Sequence, residues 1–177
     1  MRVAEFIARR LADLGARHVF TLTGGGAMFL NDAFAHEGRL MPVYCHHEQA
    51  CAMAAEGYAR MHNRPGIVNV TTGPGGINAL NGVYGAYTDS IPMLVISGQV
   101  KRATHLVATP VPGLRQLGDQ EVDIAAMAGV SRETASRLGL PSRRRACTKG
   151  TAPSRACAGL SSSSCSGTAR ACSSAAS

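Results

Sequence analysis

Apolar positions recur at helical spacing from the start of the chain. Val3, Phe6, Ile7, Leu11 and Leu14, with Arg9, Arg10 and Asp13 between them, predict an amphipathic first helix closed near Gly15. Residues 18–23, His-Val-Phe-Thr-Leu-Thr, then read as a strand. Thr23-Gly24-Gly25-Gly26 turns that strand into a helix carrying Met28, Phe29, Leu30, Ala33 and Phe34. A short run at 41–45 ends in His46-His47-Glu48, after which Ala50, Ala52, Met53, Ala54, Ala55, Glu56 and Ala59 continue as helix formers with no proline until Pro65. A third strand, 66–72, runs into Gly73-Pro74-Gly75-Gly76-Ile77-Asn78 and a small-residue helix reaching about Asp89. A fourth, 91–96, is nearly all apolar, as expected of a strand covered on both faces by crossover helices.

Strand-to-helix units in succession argue an α/β fold: a doubly wound, mostly parallel sheet with helices on both faces. Three unusual stretches, residues 23–26, 47–48 and 73–78, each follow a strand, so the topology gathers them on one carboxyl edge, where such sheets bind ligands. Glu48 stands at the junction of strand and helix. It can be a first-turn acid that favours the positive end of the helix dipole, or a carboxylate aimed into the crevice. Neither glycine loop is a standard nucleotide fingerprint: residues 24–26 lack GxGxxG spacing, Asn78 stands where a third glycine would belong in the second loop, and no GxxxxGK[ST] occurs. Each loop alone reads equally as a tight turn or a ligand cradle. Of His46 and His47, adjacent residues pointing to opposite sides, at most one is expected to face the site.

Charge changes the picture at one place. Residues 1–129 hold 10 basic and 10 acidic residues, whereas 130–177 hold 8 basic residues and one acid, Glu133, so the formal charge of +7 belongs to the tail. The basic balance is therefore no argument for a nucleic-acid or membrane partner. Serine shifts in the same way, two before residue 130 and twelve after it, and no Phe or Tyr lies beyond Tyr87. Four of the six cysteines, Cys147, Cys157, Cys165 and Cys172, fall in the tail without CxxC or Cys/His spacing, so no metal site is expected. Without an apolar leader or a span of about 20 apolar residues, the chain reads as cytoplasmic with free thiols, and the sequon at Asn69-Val70-Thr71 as a chance match.

Three stretches, HHEQACAMAAEGYAR, TTGPGGINALNGVYGAYTDSIPMLVISGQV and DQEVDIAAMAG, together resemble the amino-terminal, pyrimidine-binding domain of thiamine-diphosphate enzymes, nearest the acetolactate synthase and acetohydroxyacid synthase group. The likeness covers roughly residues 1–129. It implies that Glu48 matches the glutamate that hydrogen-bonds the ring nitrogen of the cofactor's aminopyrimidine. A carboxyl group there shares a proton with the ring and favours the tautomer that removes the thiazolium carbon proton. Pro74 and Asn78 match residues lining the pyrimidine pocket, Thr23, Gly24 and Gly25 match the first turn beside the active site, and Gln120 matches a glutamine near the reacting centre. His47 matches a position commonly His in the family. The resemblance further implies thiamine diphosphate as cofactor, a 2-oxo acid as substrate, and a cofactor seated between this domain and the diphosphate domain of a partner. That partner is a homo-oligomeric copy or a separate chain, and it supplies the magnesium and diphosphate ligands.

The chain also departs from that family. A complete enzyme resembles three domains, the last with GDG followed by Asn ligands, and no GDG occurs here. Residues 1–129 are read as the pyrimidine-binding domain, cut short at its end. Residues 130–177 form a Ser/Ala/Arg/Cys-rich tail without an apolar period, expected to lack a packed core and to arise from a truncated or frame-shifted frame. A natural separate subunit of a two-chain 2-oxo acid decarboxylase, and a non-catalytic remnant, are the alternatives.

Overall fold

The computed structural model describes residues 1–129 and the backbone of 157–161. Four helices flank a parallel sheet. In chain order they are α1 (Val3–Asp13), β1 (His18–Thr21), α2 (Met28–His36), β2 (Met41–Tyr44), α3 (Glu48–His62), β3 (Gly66–Val70), α4 (Pro74–Thr88), β4 (Met93–Ser97) and a last turn of helix, α5 (Ile124–Met127). Helices α1–α4 and strands β1–β4 fall where the periodicity places them. The first three strands end one or two residues earlier than the pattern suggests, where the pairing stops and the chain lifts into the turns, and β4 is shifted to begin two residues later and end one residue later.

The strands lie in the order β2-β1-β3-β4, all parallel. The chain therefore steps from β1 outward to β2, then back across β1 to β3. The reversal falls between β1 and β3, and the crevice of a doubly wound sheet opens beyond the carboxyl ends of the strands at such a reversal. β2 is an edge strand of this set and tolerates Pro42, whose missing N–H would weaken a central one.

Successive residues of β3 and β4 serve opposite faces. Ile67, Leu94 and Ile96 pack with α1 and α2, on Ile7, Leu11, Leu30 and Phe34. Val68, Val70, Met93 and Val95 pack with α3 and α4, on Cys51, Ala52, Ala55, Ala79 and Ala86. Asn69 is the exception in an apolar strand. It is fully buried and its Nδ2 donates to Thr21 Oγ1 (2.9 Å) and Asn31 Oδ1 (2.7 Å), tying β1, β3 and α2 together. That burial also removes the sequon from reach in the folded chain.

Within residues 130–177, Cys157–Ser161 forms β5, parallel to β4 from Met93↔Cys157 to Ser97↔Ser161. The physical reason is the edge of β4, a row of unpaired N–H and C=O groups that any extended segment can satisfy without an apolar pattern of its own. The remainder of 130–177, including Cys147, Cys165 and Cys172, lies outside the described residues. Among the described residues, no helix is long and apolar enough to cross a membrane.

Candidate functional site

Glu48 opens α3. His47, in extended conformation, is the N-cap, and its Nδ1 accepts from the Gln49 N–H at 3.1 Å. The cap is therefore filled by His47, and the Glu48 side chain is left to turn inward, where the residue is only 8% exposed. Asn78, one turn into α4, donates from Nδ2 to Glu48 Oε2 at 3.1 Å. Gln49, the next residue of α3, donates from Nε2 to Asn81 Oδ1, about one turn further along α4, at 2.8 Å, so two amide contacts fix the approach of α3 to α4 at this end. His46 and His47 are both exposed, and His47 meets the site only as the cap beside Glu48.

The glycine loops meet around Thr71, which follows β3. A methyl group on Gly24 would overlap the Thr71 side chain, and one on Gly75 would lie 2.8 Å from Thr71 Cγ2 and 3.5 Å from Glu48 Oε1. Only glycine allows both turns to close on that threonine. The Gly26 N–H donates to Thr71 Oγ1 at 3.2 Å, and Ser97 Oγ, at the end of β4, donates to the Thr71 carbonyl at 3.1 Å. Thr71 thus joins the loops after β1 and β3. Sequence reasoning passed over it as one of the closing residues of a strand. The available signal was a pair of hydroxyl residues, Thr71-Thr72, immediately before a glycine turn.

Thr23, Gly25, Pro74 and Asn78 are exposed along the rim of this crevice, while Glu48 lies below it. Gln120 reaches the same edge by its backbone: at φ +59° its carbonyl presses on Gly73, the N-cap of α4 at φ +52°. No recorded contact joins Gly25 or the Gln120 side chain to Glu48. Beneath Glu48, Cys45 and Cys51 are free thiols, and burial, with the adjoining Cys45 thiol, pushes the Cys51 thiol up to about 12. Cys51 acts as a small apolar residue of the α3 face.

These residues suit the pyrimidine end of a thiamine cofactor. They are a buried carboxyl group, a carboxamide that donates to it, and a glycine turn closed on Thr71 beside it. Among the described residues, no group of three His, Cys, Asp or Glu stands together where a metal ion could be held.

Comparison with known proteins agrees with this arrangement. The family described as thiamine pyrophosphate enzyme, N-terminal TPP binding domain, matches residues 1–127. The acetolactate synthase large subunit of Buchnera aphidicola from Acyrthosiphon pisum is 45% identical over 97 residues, 55% of this chain and 17% of that protein. The acetolactate synthase isozyme 3 large subunit of Escherichia coli K12 is 44% identical over 104 residues, 59% and 18% of the two chains, and the chloroplastic acetolactate synthase of Arabidopsis thaliana 38% over 99 residues, 56% and 15% of the two chains. The matched region spans less than a fifth of these relatives. With its parallel sheet, its crevice between β1 and β3 and the buried Glu48 beneath the glycine turns, the chain belongs to the thiamine pyrophosphate enzymes and carries their N-terminal TPP binding domain.

Proposed function

We propose that this chain is the pyrimidine-binding half of a thiamine diphosphate site in an acetolactate synthase-like enzyme acting on 2-oxo acids, with Glu48 as the cofactor-activating carboxyl. The observation that carries the reading is the Glu48 side chain, buried at the start of α3 and held by Asn78 across the helix pair. When bound, thiamine diphosphate supplies a nucleophilic carbon that adds to the carbonyl of a 2-oxo acid. Glu48 holds a proton at its carboxyl for a ring nitrogen of the pyrimidine, and Asn78 keeps the carboxyl in one rotamer. Pro74, Gly75, Thr23, Gly24 and Gly25 would wall the place of the ring, with the Gln120 segment beside them.

The diphosphate and its magnesium require oxygen ligands, which this reading assigns to a partner that carries a diphosphate domain. A ring held by one carboxyl, one proline and one amide makes few contacts, so the isolated chain is expected to bind thiamine diphosphate weakly. Calorimetry on the chain alone, then with a chain supplying a diphosphate domain, tests this. The partner should restore binding. Glu48→Gln should then keep most of the affinity while slowing proton exchange at the thiazolium carbon by at least about a hundredfold, the usual contribution of a positioned acid or base. Submicromolar binding without a partner, or undiminished exchange in the Gln variant, would overturn the proposal.

A further inference from the structure

Between β4 and α5 the chain leaves the sheet for residues 100–121, and one carboxylate gathers the excursion. Glu121, its side chain 9% exposed, accepts from the backbone N–H of Leu106 (2.7 Å to Oε1), Leu117 (3.1 Å to Oε2) and Gly118 (3.2 Å to Oε2). His105 Nδ1 lies 3.5 Å from Oε1 and is the titratable group facing it. A second clasp lies beside the first: Gln99 Nε2 donates to the Val122 carbonyl at 2.8 Å, and Gln99 Oε1 accepts from the Val100 N–H at 2.9 Å.

What the clasp holds is Gln120. This residue adopts φ +59°, a conformation disfavoured for any side chain but glycine, and in it the carbonyl lies so close to Gly73 that a methyl group there would collide with it. Gly73 is the N-cap of α4, and α4 carries Asn78 to Glu48. A strained residue persists only where its surroundings over-determine it, and here the surroundings are the three N–H groups fixed by the next residue in the chain.

We infer that Glu121 is a positioning residue: by gathering the 106–118 loop it holds the Gln120 carbonyl against Gly73 and so fixes the start of α4, from which Asn78 reaches Glu48. The mechanical part stands on contacts within this chain, and its bearing on catalysis rests on the function proposed above. A carboxylate suits the task because it is an acceptor only, with two oxygens for three donors, whereas Gln would turn an NH2 toward one of them. Burial alone would raise the Glu121 carboxyl, but the N–H groups of Leu117, Leu106 and Gly118, with His105, outweigh it and hold the group below the usual carboxylate range. The clasp is therefore complete at neutral pH and is lost as pH falls through that lowered value.

The test is an amide titration of the full chain by two-dimensional NMR, without cofactor. On acidification the amides of Leu106, Leu117 and Gly118 should move together with one midpoint. Those of Gly75 and Ile77, in the first turn of α4, should follow with the same midpoint while Val68 and Ile96 in the sheet do not. Glu121→Gln should abolish the step and lower exchange protection at the three loop amides at least tenfold. His105→Gln, which keeps the carboxylate, should preserve the step. Loop amides that titrate while Gly75 and Ile77 stay still would show that Glu121 closes a loop without holding α4, and loop amides that do not respond would remove the clasp itself; either result overturns the inference. Since no cofactor is involved, failure to bind thiamine diphosphate would sink the proposed function and leave this result standing.

Discussion

On one side of the sheet α1 and α2 bury Ile7, Leu11, Leu30, Phe34 and Leu40, while on the other α3 and α4 bury Cys51, Ala52, Ala55, Ala79 and Ala86. Large side chains set helices apart and remove much apolar surface from water. Small ones let backbones approach, at the expense of that surface. Gly82 of α4 shows how close the approach is: a methyl group there would lie 2.6 Å from Ala52 Cβ and 3.1 Å from the Met53 nitrogen. The Glu48 to Asn78 hydrogen bond spans this narrow helix pair, so the side that contributes less to stability is the side that sets the geometry of the site.

Phe34→Ala should have the largest effect. Phe34 is 1% exposed in the large-residue cluster, and truncating a buried Phe leaves a cavity and costs about 3–5 kcal/mol. Urea unfolding should report that loss. If the division of labour holds, the hydrogen-bonded Asn78 side-chain amide should keep its chemical shift in the fraction that remains folded. A change at Asn78 as large as that at Leu30 would mean that the two faces are not independent.

Gly82→Ala comes next and strikes the narrow side. Away from any contact, Ala for Gly within a helix stabilises by about 1 kcal/mol. Here the methyl group meets Ala52, which has no flexible end to move, so the helices must part and the net result should be a loss of about 1–3 kcal/mol. The signature beyond stability is the Glu48 contact: the Asn78 side-chain amide should shift, and Ala52→Gly in the same chain should bring it back. Stabilisation by Gly82→Ala would show that the helices are not as close as the comparison requires.

Much of this was legible beforehand, for physical reasons. The α/β order and the edge on which the motifs gather follow from local patterns, because periodicity and turn residues act within a few positions. The likeness to thiamine-diphosphate enzymes was equally local, resting on contiguous stretches such as TTGPGGIN. What escaped is long-range. Thr71 matters because Gly24, 47 positions before it, closes on it together with Gly75, and the Asn69 Nδ2 finds its acceptors on Thr21 and Asn31 of other elements. Glu121 drew no notice beside Gln120, since three backbone N–H groups leave no mark on the sequence.

The smallest effect expected at neutral pH is that of Cys51→Ala, and its pH dependence sharpens the comparison most. Cys51 is fully buried on the small-residue side, and removing one sulfur should cost about 1 kcal/mol, in the range of other single-group deletions from a core. Burial first, then the Cys45 thiol beside it, raises the Cys51 thiol from 9.0 to about 12. The sign follows directly. Below about pH 9 the thiol is protonated in both folded and unfolded chains, so its packing contributes in full. Between 9 and 12 the unfolded chain releases the proton and the folded chain does not, so stability falls by up to about 1.4 kcal/mol per pH unit. Urea unfolding of wild type and Cys51→Ala at pH 8 and pH 10.5 compares the chain with and without this thiol and its effect on Cys45. The wild type should be the more stable at pH 8, and its advantage should vanish or reverse at pH 10.5. An advantage unchanged by pH would mean that water reaches Cys51, and that α3 does not lie against the sheet as closely as its small residues allow.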